Sequence, residues 1–179
     1  MNQRKTETTL DVVRDDHVRG SETAPATVLV YGDYECPYTR ALEFTIAQLR
    51  RDGDSFRYVF RYFPLREIHP HAEMAAEAAE AVAALSGSEK FWIMHDTLFA
   101  NQYDLEQESL ERYATAAGVD ARAHRKAVAT HQFADRVERD LQSGIANGVE
   151  GTPSIFINGE RYHGRRDVDS LRAAITAYS

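Results

Sequence analysis

ATVLVYGDYECPYTR, residues 26–40, joins an apolar run to a lone cysteine and a proline. Residues 26–31 are continuously apolar or β-branched, a pattern typical of a buried central strand rather than a half-exposed one. A short polar loop follows at 32–35. Pro37 then has the place that the first turn of a helix accepts. The stretch predicts a strand, a tight loop and a helix that begins beside Cys36.

The rest of the chain predicts one α/β domain over residues 1–179. Residues 1 to about 24 are polar and predict an extended or frayed lead-in, and about 66–147 predicts a helical insertion. Periodicity and turn residues predict the other elements: a helix at 37–50, a strand at 56–62, helices at 107–117, 120–129 and 131–147 within the insertion, a hairpin at 154–163 and a helix at 168–175. This order fits an α/β fold interrupted by helices.

Composition excludes several classes of protein. A net charge of −7 argues against nucleic acid or an anionic membrane as the main partner. No apolar run approaches the ~20 residues that a membrane-spanning helix needs. The N-terminal stretch lacks the apolar core of a secretory signal, so we expect a cytoplasmic location. One cysteine allows no internal disulfide framework.

Cys36 is the candidate nucleophile. The first N–H groups of a helix have no intrahelical partner and the helix dipole favours negative charge there, so a thiol at the start of helix 37–50 is driven toward thiolate. Arg40, one turn on, acts in the same direction. Asp33 and Glu35 act in the other, because like charges disfavour a thiolate. The sequence leaves open which influence prevails.

Thr39 stands three residues after Cys36, where a Cys-x-x-Cys redox motif has its second sulfur. Its hydroxyl can donate a hydrogen bond to a thiolate, but it cannot attack a mixed disulfide. An external thiol must then release the product. The alternative is a buried cysteine with no chemical role, since free cysteine is often part of the core.

A second motif, GVEGTPSIFING at 148–159, places Thr152 and Pro153 directly before a predicted strand. Proline is tolerated at the first position of a strand, and X-Pro is the common setting for a cis peptide bond. A cis-proline loop that faces a cysteine at a helix start is how the thioredoxin fold builds its site.

With these motifs, the chain resembles the DsbA-like branch of the thioredoxin superfamily. The resemblance spans roughly residues 18–178 and rests on four ordered stretches: VLVYGDYECPY (28–38), FPLREIHPHAEMAAEAAEAV (63–82), KFWIMHDTLFANQ (90–102) and GVEGTPSIFING (148–159). It implies a bacterial thioredoxin fold with an inserted helical domain. The chain is also similar to thioredoxin-like domains fused to some bacterial sodium/proton antiporters.

The resemblance implies specific site residues. The nucleophile of the family falls on Cys36, its dipeptide on Pro37 and Tyr38, its cis-proline on Pro153, and the backbone that meets an extended substrate on Thr152. The second cysteine of the family falls on Thr39. This departure weighs against the dithiol oxidase and reductase activities of the family.

Three functions are consistent with these residues. The leading hypothesis is a monothiol thiol–disulfide oxidoreductase acting on a disulfide-containing protein, a peptide or a small thiol. It holds no bound cofactor, and glutathione or another low-molecular-weight thiol serves as co-substrate. The alternatives are a catalytically degenerate module that binds a peptide or partner protein, and a thiol-cofactor-dependent transferase or isomerase. Oligomeric state is not predicted.

Other polar residues carry weaker signals. His69 and His71 form a His-x-His pair, with His95 one helix later, but further ligands at metal-binding spacing are lacking, so we predict no metal site. Three glutamates at helical spacing predict a solvated helix face: Glu73, Glu77 and Glu80.

Overall fold

A computed structural model describes residues 10–178 and contains a five-stranded mixed sheet. In chain order the strands are β1 (His17–Arg19), β2 (Thr27–Gly32), β3 (Arg57–Tyr62), β4 (Ser154–Ile157) and β5 (Glu160–Tyr162). Their order across the sheet is β1-β3-β2-β4-β5. Among the strands of the described residues, only the β2–β3 pairing is parallel. This is the predicted thioredoxin fold, with β2 at the centre of the sheet.

Six helices complete the described part of the chain: α1 (Pro37–Arg51), α2 (Ala72–Ala100), α3 (Gln107–Ala116), α4 (Ala121–Ala129), α5 (Ala134–Ala146) and α6 (Val168–Thr176). Four of them, α2 to α5, lie between β3 and β4, where the sequence predicts the insertion. Gly87 interrupts the helical backbone of α2 with φ of 85°. A residue without Cβ adopts this angle at little cost.

Both faces of the sheet are buried. Val28 and Val30 face the core shared with α1, α2 and α6, whereas Leu29 and Tyr31 face a smaller core with Leu141 of α5. A strand covered on both sides needs apolar residues at every position. This explains why the run before Cys36 shows no polar alternation.

Part of the predicted lead-in is an extended strand that belongs to the sheet. Residues 17–19 form β1, which pairs antiparallel with β3 and places His17 opposite Phe60. The carbonyl of Val18 accepts a hydrogen bond from Trp92 Nε1 at 3.2 Å. A polar segment therefore extends the sheet edge because its backbone finds partners there. Residues 1–9 of the predicted lead-in lie outside the described residues.

The predicted solvated glutamate face of α2 is also wrong in two of three positions. Glu77 is only 2% exposed and accepts a hydrogen bond from His131 Nδ1 at 3.0 Å. Glu80 is part-buried and accepts from His17 and from the Tyr62 hydroxyl. Glu73 alone matches the prediction, with a pairing to Arg66 at the surface. The partners of the buried glutamates come from distant segments, which helical spacing does not reveal.

Within residues 10–178, none of the helices combines the length and apolar character required to span a membrane.

Candidate active site

Cys36 is the N-cap residue of α1. Its backbone is extended, with φ −77° and ψ 119°, and Pro37 opens the helix. Cys36 makes no capping hydrogen bond with its side chain, and only 3% of the residue is exposed. The sequence therefore places the thiol correctly at a helix start, in a more enclosed position than a surface nucleophile.

The cis-proline loop meets this thiol. Antiparallel pairing of β2 with β4 sets Tyr31 opposite Ser154, so the end of β2 and the start of β4 lie at the same edge of the sheet. The Thr152–Pro153 peptide bond is cis. The Cys36 thiol donates a hydrogen bond to the Thr152 carbonyl, with 3.5 Å between Sγ and O. The structure thus brings together the predicted nucleophile and the predicted substrate-binding loop.

Thr39 and Tyr38 differ in their exposure to solvent. Thr39 is completely buried, and its hydroxyl oxygen accepts a hydrogen bond from the Asp33 amide at 3.4 Å. In the part of the chain that the structure describes, no hydrogen bond joins Thr39 to Cys36. Tyr38 is 69% exposed. Thr39 therefore supports the loop before the helix, while Tyr38 is available to a bound molecule.

Asp33 is held by three donors. Its carboxylate accepts from the amides of Glu35 and Leu65, at 2.7 and 2.8 Å. His69 Nδ1 lies 2.8 Å from the same carboxylate. Asp33 is 2% exposed, so these donors replace the water that a buried carboxylate would otherwise require. These donors fix the Asp33 carboxylate in the loop that precedes Cys36.

Glu35 has a histidine partner as well. Its carboxylate accepts from the His71 amide at 2.8 Å and lies 2.9 Å from His71 Nδ1. His71 Nε2 faces Glu106 at 3.1 Å. The hydrogen bond with Glu35 raises the pKa of His71 above its ordinary value, and the charges of both glutamates act in the same direction. A protonated His71 balances the negative charge next to Cys36.

Gln102 is a site residue that sequence reasoning missed. Its side-chain amide donates to the Tyr34 carbonyl at 2.8 Å and to the Cys36 carbonyl at 2.9 Å. Gln102 is 4% exposed and belongs to the 90–102 motif, which was the only available signal. It ties the insertion to the loop that carries the thiol.

A buried polar cluster lies between α1 and α2. Tyr34 bonds to His95 Nδ1 at 3.0 Å, and His95 Nε2 lies 3.2 Å from Glu43. Glu43 also accepts from the Tyr58 hydroxyl. Burial, followed by the charge of Glu43, raises the pKa of Tyr34 well above its ordinary value. Tyr34 thus remains a neutral hydrogen-bonding group.

The three histidines considered for metal binding all have protein partners. His69, His71 and His95 pair with carboxylates from other segments. Among the described residues, no group of three or more His, Cys, Asp or Glu side chains is arranged to hold a metal ion.

Curated relatives of this chain are longer proteins. It is 44% identical over 160 residues to the Na(+)/H(+) antiporter NhaA 3 of Salinispora tropica, covering 89% of this chain and 24% of that protein. It is 42% identical over 165 residues to the antiporter NhaA 1 of Mycolicibacterium gilvum, covering 90% and 26%. The chain spans about a quarter of the length of these relatives.

Solved structures share the fold over most of their length. BdbD from Bacillus subtilis, in its oxidised form, has a TM-score of 0.82 at 23% identity, covering 91% of this chain and 92% of that one. The thiol-disulfide exchange protein alpha-DsbA2 from Wolbachia pipientis has a TM-score of 0.78 at 25% identity, covering 92% and 87%. The model of the family described as Thioredoxin matches residues 13–177. The chain therefore belongs to the thioredoxin family, with DsbA-like proteins as structural neighbours.

Proposed function

We propose that this protein is a monothiol thiol–disulfide oxidoreductase. The observation that carries the proposal is the position of Cys36 Sγ, 3.5 Å from the Thr152 carbonyl of the cis-proline loop, in a chain with no second cysteine. Membership of the thioredoxin family and the likeness to a thiol-disulfide exchange protein support thiol–disulfide chemistry in general. The monothiol mechanism is proposed because the chain has a single cysteine.

The cycle has two exchange steps. Cys36, as thiolate, attacks one sulfur of a disulfide, forms a mixed disulfide and releases the other sulfur as a thiolate. An external low-molecular-weight thiolate, such as glutathione, then attacks the mixed disulfide. This second step restores the Cys36 thiolate and leaves the substrate sulfur bound to the external one. Electrons balance, because each step breaks and forms one S–S bond.

Three features of the site serve this cycle. The amides at the start of α1 and the N-terminal end of its dipole stabilise the attacking thiolate. The Thr152 carbonyl now accepts from the thiol, and on deprotonation this acceptor is freed for the backbone of an extended substrate. Pro153 follows the residue whose carbonyl meets the sulfur, and Pro37 and Tyr38, which directly follow Cys36, are both exposed. A reducing compartment supplies the external thiol, so we propose the cytoplasm as the location.

The test compares the wild type with Thr39→Cys and Cys36→Ser after exposure of each to excess glutathione disulfide. We expect a stable adduct on wild-type Cys36, seen by intact-mass analysis, that disappears when free thiol is added. Thr39→Cys should hold little adduct, because the introduced sulfur displaces glutathione intramolecularly. Cys36→Ser should form none.

A second candidate, a binding module without turnover, is favoured by the 3% exposure of Cys36. It predicts that the folded wild type forms no adduct, whereas the urea-unfolded chain does. That outcome would replace the enzyme proposal, and Cys36→Ser would then be expected to retain any partner that the wild type binds.

A further inference from the structure

A small cavity lies beside the cis-proline loop, between β4 and the segment that follows β5. Its volume is about 150 Å³, and its lining includes Pro153, Arg161, His163 and Arg166. Aspartate and glutamate are absent from its lining within residues 10–178. The cavity is therefore polar and basic in a chain whose net charge is −7.

Among residues 10–178, the two arginines of this cavity have only neutral acceptors. Arg161 donates to the Gly148 carbonyl at 2.6 Å and to the Ser154 hydroxyl at 3.4 Å. Arg166 donates to the Pro153 carbonyl at 3.1 Å. Neither forms a salt bridge with a described residue. Each guanidinium has five N–H groups, so donors on both remain for a further acceptor.

Arg165 provides the contrast within the same segment. It pairs with Asp167 at 2.9 Å, its side chain is 86% exposed, and it does not line the cavity. All three arginines are exposed, but among the described residues only Arg165 has a carboxylate partner. Arginine favours planar carboxylates, because its N–H groups match two oxygens at once.

The cavity adjoins the loop that meets the reacting sulfur. The Thr152 carbonyl accepts from Cys36, and the carbonyl of the next residue, Pro153, accepts from Arg166. Adjacent carbonyls of one loop therefore connect the thiol and the cavity. A molecule bonded to Cys36 through sulfur therefore meets the same loop that lines the cavity.

We propose that Arg161 and Arg166 form a subsite for a carboxylate of a small anionic disulfide, which orients one of its sulfurs toward Cys36. The inference rests on the monothiol function proposed above and names its substrate class: disulfides of low-molecular-weight thiols that carry free carboxylates. The chemical step is unchanged, since one thiolate leaves as one mixed disulfide forms.

The test measures the rate of adduct formation at Cys36 with two matched reagents, glutathione disulfide and its fully esterified form, which lacks free carboxylates. We expect the wild type to react about 10-fold faster with the free acid than with the ester, because a hydrogen bond between an arginine and a carboxylate stabilises binding by about this factor. The double variant Arg161→Gln/Arg166→Gln should lose this preference and keep its rate with the ester. Arg165→Gln, with the charge change of a single arginine at the neighbouring position, should behave as wild type.

The possible failures are distinguishable. Absence of adduct with either reagent on the folded wild type overturns the monothiol function, and with it the substrate class. Equal rates with the two reagents, or a preference that survives in the double variant, overturn the carboxylate subsite alone. Loss of preference in Arg165→Gln as well shows a general charge effect and also overturns it. Thermal unfolding of each variant verifies that the compared proteins are folded.

Discussion

Two sets of arginines in this molecule show a contrast. The arginines of both sets donate hydrogen bonds, but within the described residues only those of the first set also form salt bridges with carboxylates. Arg61 of β3 forms a salt bridge with Asp16, and Arg136 of α5 forms one with Asp140. Arg161 and Arg166 border the cavity beside the cis-proline loop without a carboxylate. We call these the paired arginines and the open arginines. The difference separates charges that hold the fold from charges left for a ligand.

The paired arginines are enclosed, and each lies against an aspartate. Arg61 donates to both oxygens of Asp16 at 2.8 Å, and to Tyr31 at 3.0 Å. The side chains of Arg61 and Asp16 are 4% and 0% exposed. Burial by itself would lower the pKa of Arg61, but the hydrogen bonds and the charge of Asp16 raise it above its ordinary value. This arrangement fastens the segment before β1 to the sheet.

The largest expected effect comes from breaking this pairing. Arg61→Gln leaves the buried Asp16 carboxylate without its counter-ion and should lower the free energy of unfolding by about 3–5 kcal/mol. Urea denaturation monitored by circular dichroism measures it. Arg139→Gln is the control, since the Arg139–Asp15 pair is about 60% exposed on both sides and should change stability by about 0.5 kcal/mol or less. Equal losses in the two variants would contradict the assigned difference.

A counter-ion placed beside the open arginines should make them resemble the paired arginines, because a protein carboxylate would then occupy their free donors. His163→Glu puts a carboxylate into the cavity lining, where it competes with a bound carboxylate. We expect adduct formation with glutathione disulfide to slow by about 5- to 10-fold, the scale of one charge-assisted hydrogen bond, with no change for the esterified reagent. Ala173→Glu adds a carboxylate at an exposed position of α6 and should leave both rates intact. A matching slowdown there would point to overall charge instead.

Removal of the open arginines should hardly affect stability. Arg161→Gln/Arg166→Gln loses contacts at exposed side chains, so the free energy of unfolding should fall by less than about 1 kcal/mol. The same urea denaturation provides the value. A loss comparable to that of Arg61→Gln would show that these arginines hold the fold and would remove the contrast between the two pairs.

The smallest effect is expected for the pair of His71 and Glu35, whose side chains are partly exposed. Both ring nitrogens of His71 face carboxylates, and its pKa is raised in the folded protein. The stabilisation is therefore complete below the unfolded value of about 6.5 and is lost as pH rises through the higher folded pKa. His71→Gln should cost about 0.5 kcal/mol at low pH, and the difference should shrink at high pH. Denaturation at several pH values measures it, and a difference that grows with pH would contradict the pairing.

Sequence reasoning succeeded where a pattern is local. Aromatic residues recur at every second position of residues 57–62, which form β3. The helix predicted at 37–50 is α1 at Pro37–Arg51. It failed where contacts come from distant segments. Glu80 has the spacing of a surface residue, yet His17 reaches it from 63 positions away. Gln102 has no local pattern, although it holds the carbonyl of Cys36 from 66 positions away.

The sequence alone determined the strand, the helix start and the lone sulfur at Cys36, because apolar periodicity and the backbone limits of proline act over a few residues. Tertiary structure decided which groups surround that sulfur. The Thr152 carbonyl came to the Cys36 thiol from 116 positions away, and Arg166 came to the Pro153 carbonyl. Such contacts depend on how helices and strands pack, and a side chain several elements away is invisible to any local pattern.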